Sequence, residues 1–537
     1  MGELFMKRTT ESFWLTVFLL MITVLSFLLP TNLLSAEQGK SLAINLATYP
    51  LSFDPLTVLY DSEKILLNNL HEGLVVWDKG VLSPGMANKW EVSADGKRYT
   101  FHLAEAYWSN GDRVTASDFE FSWKRILSTE YESSSRFLLD VIKNVAAYRN
   151  GKLGNQDEIG VKALNDKVLQ VDLEKPCSYF LNLLTFPAFL PVHMKFARDK
   201  NLAYSPGFCS NGAFRIKEWE PRNHAILVAN EFYRGERGNI SQIQVTFLPP
   251  NTGVTLYTAG MIDLLEEPPF TVYPQYASEL VQASTMGTGF LYLNTRRPPL
   301  NKLAFRKALS LAINRDLLVA RTLGFRGIPA TGLIPPGIYD SRSTNGFDFR
   351  ETGGDLVGLA DGKKCLELLY GAGYPNEDGY PEMEILVVDN VVPLEMAKTI
   401  VEMWEINLGL KVKINAVSYS EFMEMASTGR FYTARQGWTG DYPDPMTFLN
   451  LFHSEAPENF ANYRNSDYDY WLSVAWERMD HVSRYKIYHL LEEKLMSDLP
   501  IIPLYFNVKP YLVSSKLTDL FYSPHGYPIF RKARKME

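Results

Sequence analysis

Cysteine is scarce in this chain. Cys177, Cys209 and Cys365 are an odd number without CxxC spacing, which excludes a zinc ribbon or a thioredoxin-like redox motif. A Cys177–Cys209 bridge stays open for a chain in an oxidising compartment, since sequence does not place the two Cα atoms within reach. Cys365 occupies an apolar helical position and reads as core. Basic charge is short as well: 54 Lys and Arg against 61 Asp and Glu give a net charge of -7, without the basic excess that a nucleic-acid partner requires. Catalytic signatures are missing: there is no GxSxG nucleophile elbow, no phosphate-binding P-loop and no HExxH metal helix. The eight His residues are scattered, with His481 and His489 outside metal-ligand spacing. Gly287-Thr-Gly289 lacks the third glycine of a dinucleotide fingerprint and reads as a flexible backbone position. These absences predict no catalytic residue, no metal and no cofactor.

What is present is a globular composition, 46% hydrophobic and 21% charged, in a chain too long for one core, since single cores stop growing near ~250–300 residues. Aromatics reach 13%, which suits either a large core or an aromatic-lined cleft. At the amino terminus Lys7 and Arg8 precede an apolar run from Phe13 to Leu29, followed by Pro30 and then Ser35-Ala36-Glu37. That is the layout of a secretory signal cleaved before Glu37, although the run is also long enough for a retained anchor. No Cys lies near the junction, so a lipid anchor has no attachment point. No later apolar stretch has spanning length. The mature chain is expected to be periplasmic, free in solution and monomeric.

The pattern along the chain mixes α and β without repeats. Residues 42–47 read as a strand and 60–74 as a helix ending near Gly73; 98–103 alternate as a strand, and Asn110-Gly111 supplies a turn. Thr115 and Asp118 form a capping-box-like start to a helix over 116–127. Residues 303–323 carry apolar side chains at helical spacing with Arg306, Lys307 and Arg315 off that face. Then 384–388 read as a strand, 394–408 as a helix stopped by Gly409, and 410–417 as a strand, a unit that implies a partly parallel sheet covered by helices. A helix over 483–499 and extended segments over 501–513 close the chain.

The informative segment is Arg435-Gln-Gly-Trp-Thr-Gly-Asp-Tyr-Pro-Asp-Pro-Met-Thr-Phe-Leu-Asn-Leu-Phe452. It puts a cation, anions, aromatics and turn prolines in one place, which is costly for plain core because buried charges need partners. A cleft for a zwitterion of unspecified sequence needs those parts; an ion-paired surface loop fits them equally well on chemistry alone. Asp441 and Asp444 are a carboxylate pair with no neighbouring nucleophile in sequence.

This segment resembles the signature region of the oligopeptide-binding proteins of ABC importers, the extracytoplasmic solute-binding proteins of family 5. Further matching motifs follow in the family's order: His71-Glu-Gly-Leu74, Trp108-Ser-Asn-Gly-Asp112, Val114-Thr-Ala-Ser-Asp-Phe119, Ser210-Asn-Gly-Ala-Phe214, Leu293-Asn-Thr-Arg-Arg-Pro-Pro-Leu300 and Phe305-Arg-Lys-Ala-Leu309. The resemblance implies an α/β, two-lobed periplasmic binding protein of the large, cluster C type, with an inserted subdomain and a hinge between lobes. Residues 1–36 would be the signal peptide. Residues 37–75, 199–286 and 509–537 would form lobe I, 76–198 the inserted subdomain and 287–508 lobe II.

The resemblance further implies a receptor that captures short peptides, cell-wall peptides among them, and delivers them to an inner-membrane ABC permease without chemistry. It assigns Asp441 to the ligand ammonium, Trp438 and Tyr419 to the cleft wall, Arg435 to the carboxyl end and Glu63 to the cleft lining. A His that anchors the ligand carboxylate in close relatives falls here at Pro393, and the relatives' cystine positions fall near Gly287 and Thr439. Peptide length is therefore left open. So are a peptidase or peptide-handling chaperone on the same fold, and a haem or metal-chelate cargo.

Overall fold

The computed structural model describes residues 39–537 except 79–80, 129–132, 134, 198, 341–347, 375–378 and 381. The expected signal segment and its cleavage junction lie outside the described residues. No described helix is long and apolar enough to cross a membrane.

In chain order the elements that position the site are β1 (Lys40–Asn45), α1 (Asp61–Leu70), β2 (Ala87–Val92), β3 (Arg98–Leu103), α2 (Ala116–Ile126), β4 (Val161–Asn165) and β5 (Val168–Asp172). Then come β6 (Phe214–Glu220), β7 (His224–Ala229), β8 (Ile240–Thr246), β9 (Leu264–Glu266), β10 (Leu280–Leu293) and β11 (Gly327–Pro329). The last group is β12 (Met383–Val388), α3 (Val391–Leu408), β13 (Val412–Val417), α4 (Tyr419–Ser427), β14 (Thr433–Thr439), α5 (His481–Asp498) and β15 (Ile501–Val513).

One sheet of 11 strands runs β13-β12-β14-β10-β15-β9-β1-β8-β7-β6, with β11 also on β15. The strand-helix-strand unit β12-α3-β13 gives the expected parallel pair, in register from Met383↔Val412 to Val388↔Val417. Two long antiparallel strands join the halves. β10 pairs β15 from Leu280↔Leu512 to Tyr292↔Ile501, with irregularities between Ser284 and Gly287 and between Gly289 and Phe290. At the first, Met286 adopts φ 54. Beyond it β10 pairs β14, while the far end of β15 pairs β9. The glycines here allow close approach rather than looseness: a Cβ on Gly289 would meet the Tyr505 ring at 2.3 Å, and one on Gly287 the Asn507 side chain at 2.4 Å.

Alternation sets the two faces of this half. Phe290 and Tyr292 enter one core with Leu386 and Phe448, and Leu291 and Leu293 enter the other with Phe305 and Trp404. A separate sheet, β2-β3-β5-β4, packs with α2 around its own core, which includes Trp108, Trp123 and Phe180. The capping box that starts α2 is present, with Asp118 accepting from the Thr115 N–H at 2.8 Å.

Two expectations are corrected, and the open question of a Cys177–Cys209 bridge is answered. Residues 303–323 form two helices, Leu303–Leu311 and Arg315–Thr322, because the Asn314 side chain caps the second by accepting from the Leu317 N–H at 3.0 Å. Arg306 and Arg315 are buried, not off the packed face: their guanidinium groups donate to the carbonyls of Leu499 and Leu300, and of Pro503. Cys177 and Cys209 share one core but form no bridge; both are free and buried, and burial pushes each thiol up to about 12. Cys365 is fully buried.

Candidate functional site

Strands β12, β13 and β14 run parallel, so their carboxyl ends lie at one edge of the sheet, the place where open α/β sheets bind ligands. Tyr419 stands two residues past β13, as the first residue of α4, with 63% of its surface exposed. Trp438 is the last residue but one of β14, half-buried against the core that holds Phe448. Asp441 follows two residues after β14 ends, in the turn that leads to Pro445.

One hydroxyl fixes that turn. Thr447 Oγ1 accepts the backbone N–H of Asp441 at 3.1 Å and the indole N–H of Trp438 at 3.4 Å. The signature alone does not single Thr447 out, although it lies six residues after Asp441, within it. The Gly440 N–H donates to the Met286 carbonyl at 2.9 Å, tying the turn to the irregular point of β10.

The two carboxylates of the turn are in opposite states. Asp444 is fully buried and satisfied: it accepts from Arg484 Nη2 at 3.2 Å and from the Met446 N–H at 3.0 Å. Asp441 is half-buried, and among the described residues no cation pairs with it. Burial, assisted by the nearby negative charge of Glu458, raises its carboxyl to about 6. Such a site favours an incoming cation. Asp444, held by Arg484, does not act with Asp441 as an acid-base pair.

Arg435 lies three residues before Trp438 and thus on the opposite face of β14. Its guanidinium donates to the Tyr505 hydroxyl and lies 5.6 Å from that ring's centre, and its Nε has no hydrogen-bond partner. Glu63 is placed elsewhere. It is fully buried in α1, and its carboxylate accepts from the N–H groups of Leu51, Leu59 and Tyr60 at 2.8, 2.5 and 2.9 Å. It is a reach-back cap holding the loop before α1. Tyr419, Trp438 and Asp441 thus share one sheet edge, Arg435 lies on the other face of the same strand, and Glu63 belongs to a different element.

The turn also contacts distant segments. Tyr442 stacks on Tyr179 with ring centres 4.2 Å apart and planes 3° from parallel, Asn182 Nδ2 donates to the Pro443 carbonyl at 3.0 Å, and Arg484 Nη1 donates to the Ser178 carbonyl at 2.8 Å. From the C-terminal segment, His525 Nε2 lies 3.3 Å from the Gly440 carbonyl.

A sheet divided by a pair of through-going strands, a second small sheet, and at the strand ends a carboxylate with no cation among the described residues define a two-lobed solute-binding fold with a hinge. Residues 81–460 match the family model for bacterial extracellular solute-binding proteins, family 5. The chain belongs to that family. It is 30% identical to the dipeptide-binding protein DppE of Bacillus subtilis over 91% of this chain and 90% of the relative. Its fold superposes with a TM-score of 0.83 on the unliganded open form of the periplasmic murein tripeptide binding protein MppA, at 27% identity, covering 94% of this chain and 98% of that one. On Haemophilus influenzae OppA in complex with the peptide RPPGFSPFR the TM-score is 0.63, again at 27% identity, with 94% and 100% covered.

Proposed function

We propose that this protein is a peptide receptor of an ABC importer: it captures short peptides between its lobes and delivers them unchanged to an inner-membrane permease. The observation that carries the reading is Asp441, a half-buried carboxylate without a cation among the described residues, at the same strand ends as an exposed Tyr419 and a half-buried Trp438. A peptide ammonium supplies the missing charge, and the two aromatic faces supply contact for side chains of varied shape. Relatives named for dipeptides, oligopeptides and murein peptides support peptide cargo. Arg435 and bound water would receive the carboxyl end, with the guanidinium leaving the Tyr505 hydroxyl or sharing it.

Lobe I would comprise residues 37–75, 199–286 and 509–537, with 76–198 inserted and 287–508 as lobe II. The irregularity of β10 between Ser284 and Gly287 supports the first crossing point. The mature protein would be a periplasmic monomer, free of lipid and starting at Glu37. Incubation of the purified protein with a mixed peptide pool, followed by native mass spectrometry, tests the reading. Intact peptides should be retained as one-to-one complexes; peptides cleaved in the pool, or none retained, would overturn it.

A further inference from the structure

A cavity of about 280 Å³ lies between α1 with the loop before it, Ser133, Ser135 and the stretch Thr185–Leu190, and the C-terminal residues Ser523–Arg531. For scale, an engineered void of ~150 Å³ accepts benzene, so this one has room for a bicyclic group. Leu56, Val76, Trp77, Phe186 and Ile529 make much of its wall apolar. Two cations, Lys64 and Arg531, also line it, and among the described residues no Asp or Glu does.

Among the described residues, both cations keep unused donors. Lys64 Nζ reaches Asp61 at 3.2 Å, a carboxylate that also receives Lys509 at 2.6 Å and the Tyr527 hydroxyl at 2.9 Å. Arg531 Nη2 donates to the Trp77 carbonyl and lies 3.5 Å from Asp78, which also receives Lys532 at 2.9 Å. Each carboxylate is thus shared by two cations and stands behind the wall. His71, more than nine-tenths buried, lines the cavity beside the Asn211 side chain. Burial lowers both His71 and His525 to about 4, so they are neutral at physiological pH. The wall is therefore apolar with donor groups, and it meets the signature turn where His525 contacts Gly440, next to Asp441.

We propose that this cavity is a subsite for a bulky apolar group that ends in a carboxylate, with Lys64 and Arg531 as its specificity-determining residues. The inference rests on the peptide-receptor reading for how that group is presented, as a side chain near the ammonium end of the cargo. The same chemistry could arrive as a free amphipathic carboxylate.

The test is calorimetry on the mature chain with alanine tripeptides carrying 4-carboxyphenylalanine, phenylalanine or 4-aminomethylphenylalanine at each position in turn, and with 2-naphthoate as the free carboxylate. At one position the carboxy peptide should bind roughly tenfold or more tightly than its aminomethyl counterpart, the scale of a hydrogen bond to a charged group. That gap should collapse in Lys64→Met, narrow in Arg531→Met and persist in Lys64→Arg. Peptide binding with no gap at any position, or with a gap that survives both methionine variants, would overturn the subsite and leave the receptor reading standing. Lys64-dependent binding of 2-naphthoate with no peptide bound would support the cavity's chemistry and overturn the peptide reading. No binding of any probe would overturn both.

Discussion

Replacing Asp441 by Asn separates what the carboxylate costs the empty protein from what it contributes to the complex. In the empty cleft its carboxyl is raised from 3.8 to about 6, because burial without a cation penalises the charge. A shift of that size corresponds to on the order of 3 kcal/mol, and less after screening of a half-buried group. The sign follows from linkage. The folded state holds this proton more tightly than the unfolded state, so the contribution to stability falls as pH rises from the unfolded value through about 6. Asp441→Asn should therefore raise the unfolding free energy of the empty protein at pH 8 by about 1–3 kcal/mol and leave it nearly unchanged at pH 3.5.

The same change should weaken a free-ammonium tripeptide by roughly 30-fold or more, the scale of removing one partner of a buried charge pair. N-acetylation of the peptide should cost the wild type a similar factor and the variant little, since both edits delete one pair. Affinity for the free peptide should also fall about tenfold per pH unit below 6, as the carboxyl protonates before ligand arrives. Urea titration at the two pH values and calorimetry with the two peptides complete the measurement. Additive losses in the cycle, or a variant less stable than wild type at pH 8, would refute the reasoning: Asp441 would then be a structural group of the turn.

Thr447→Val removes the acceptor for both the Asp441 N–H and the Trp438 indole, so peptide affinity should fall by about 1–3 kcal/mol at ~0.5–1.5 per hydrogen bond, with Thr447→Ser restoring most of it in the same titration. Arg484→Met leaves Asp444 buried and unpaired and should cost roughly 3–5 kcal/mol of stability in urea; adding Asp444→Asn should recover part of that loss. Saturating peptide should reduce the radius of gyration and raise the melting temperature, because a ligand held between two lobes favours the arrangement in which both touch it; scattering and calorimetry check both. C-terminally amidated peptides should lose less than about tenfold in affinity, because Arg435 is half-committed to Tyr505 and Pro393 offers no charge.

Local signals were legible where neighbours in sequence settle the outcome. Thr115 with Asp118 starts α2, and Gly409, at φ 68, ends α3. The pairing of apolar period with length identified β12, α3 and β13 as a parallel unit. The break at Asn314 was hidden because helical spacing of apolar residues continues across it. Arg306 and Arg315 were misplaced for a different reason: their partners are carbonyls of residues as distant as Leu499 and Pro503, and distant acceptors leave no trace in a local pattern. At the site, the motif indicated Asp441 and Trp438 but not the hydroxyl that joins them. Glu63 was assigned to the cleft from alignment alone, and its local role as a cap lay in the three N–H groups around it.

The order of the sheet has a consequence for how the chain matures. β1, the first described strand, lies between β8 and β9, and β9 completes its pairing on β15, formed by residues 501–513. Asn69 in α1 is satisfied by the backbone of Pro528 and Phe530. The first half therefore cannot close its ladder or its helix contacts until the last segment of the chain has been made. Contacts of such long sequence separation fold slowly, because loop-closure entropy must be met before they form. A ribosome-bound chain lacking its final segment would still have this sheet unfinished, so completing the sheet becomes an event that follows release.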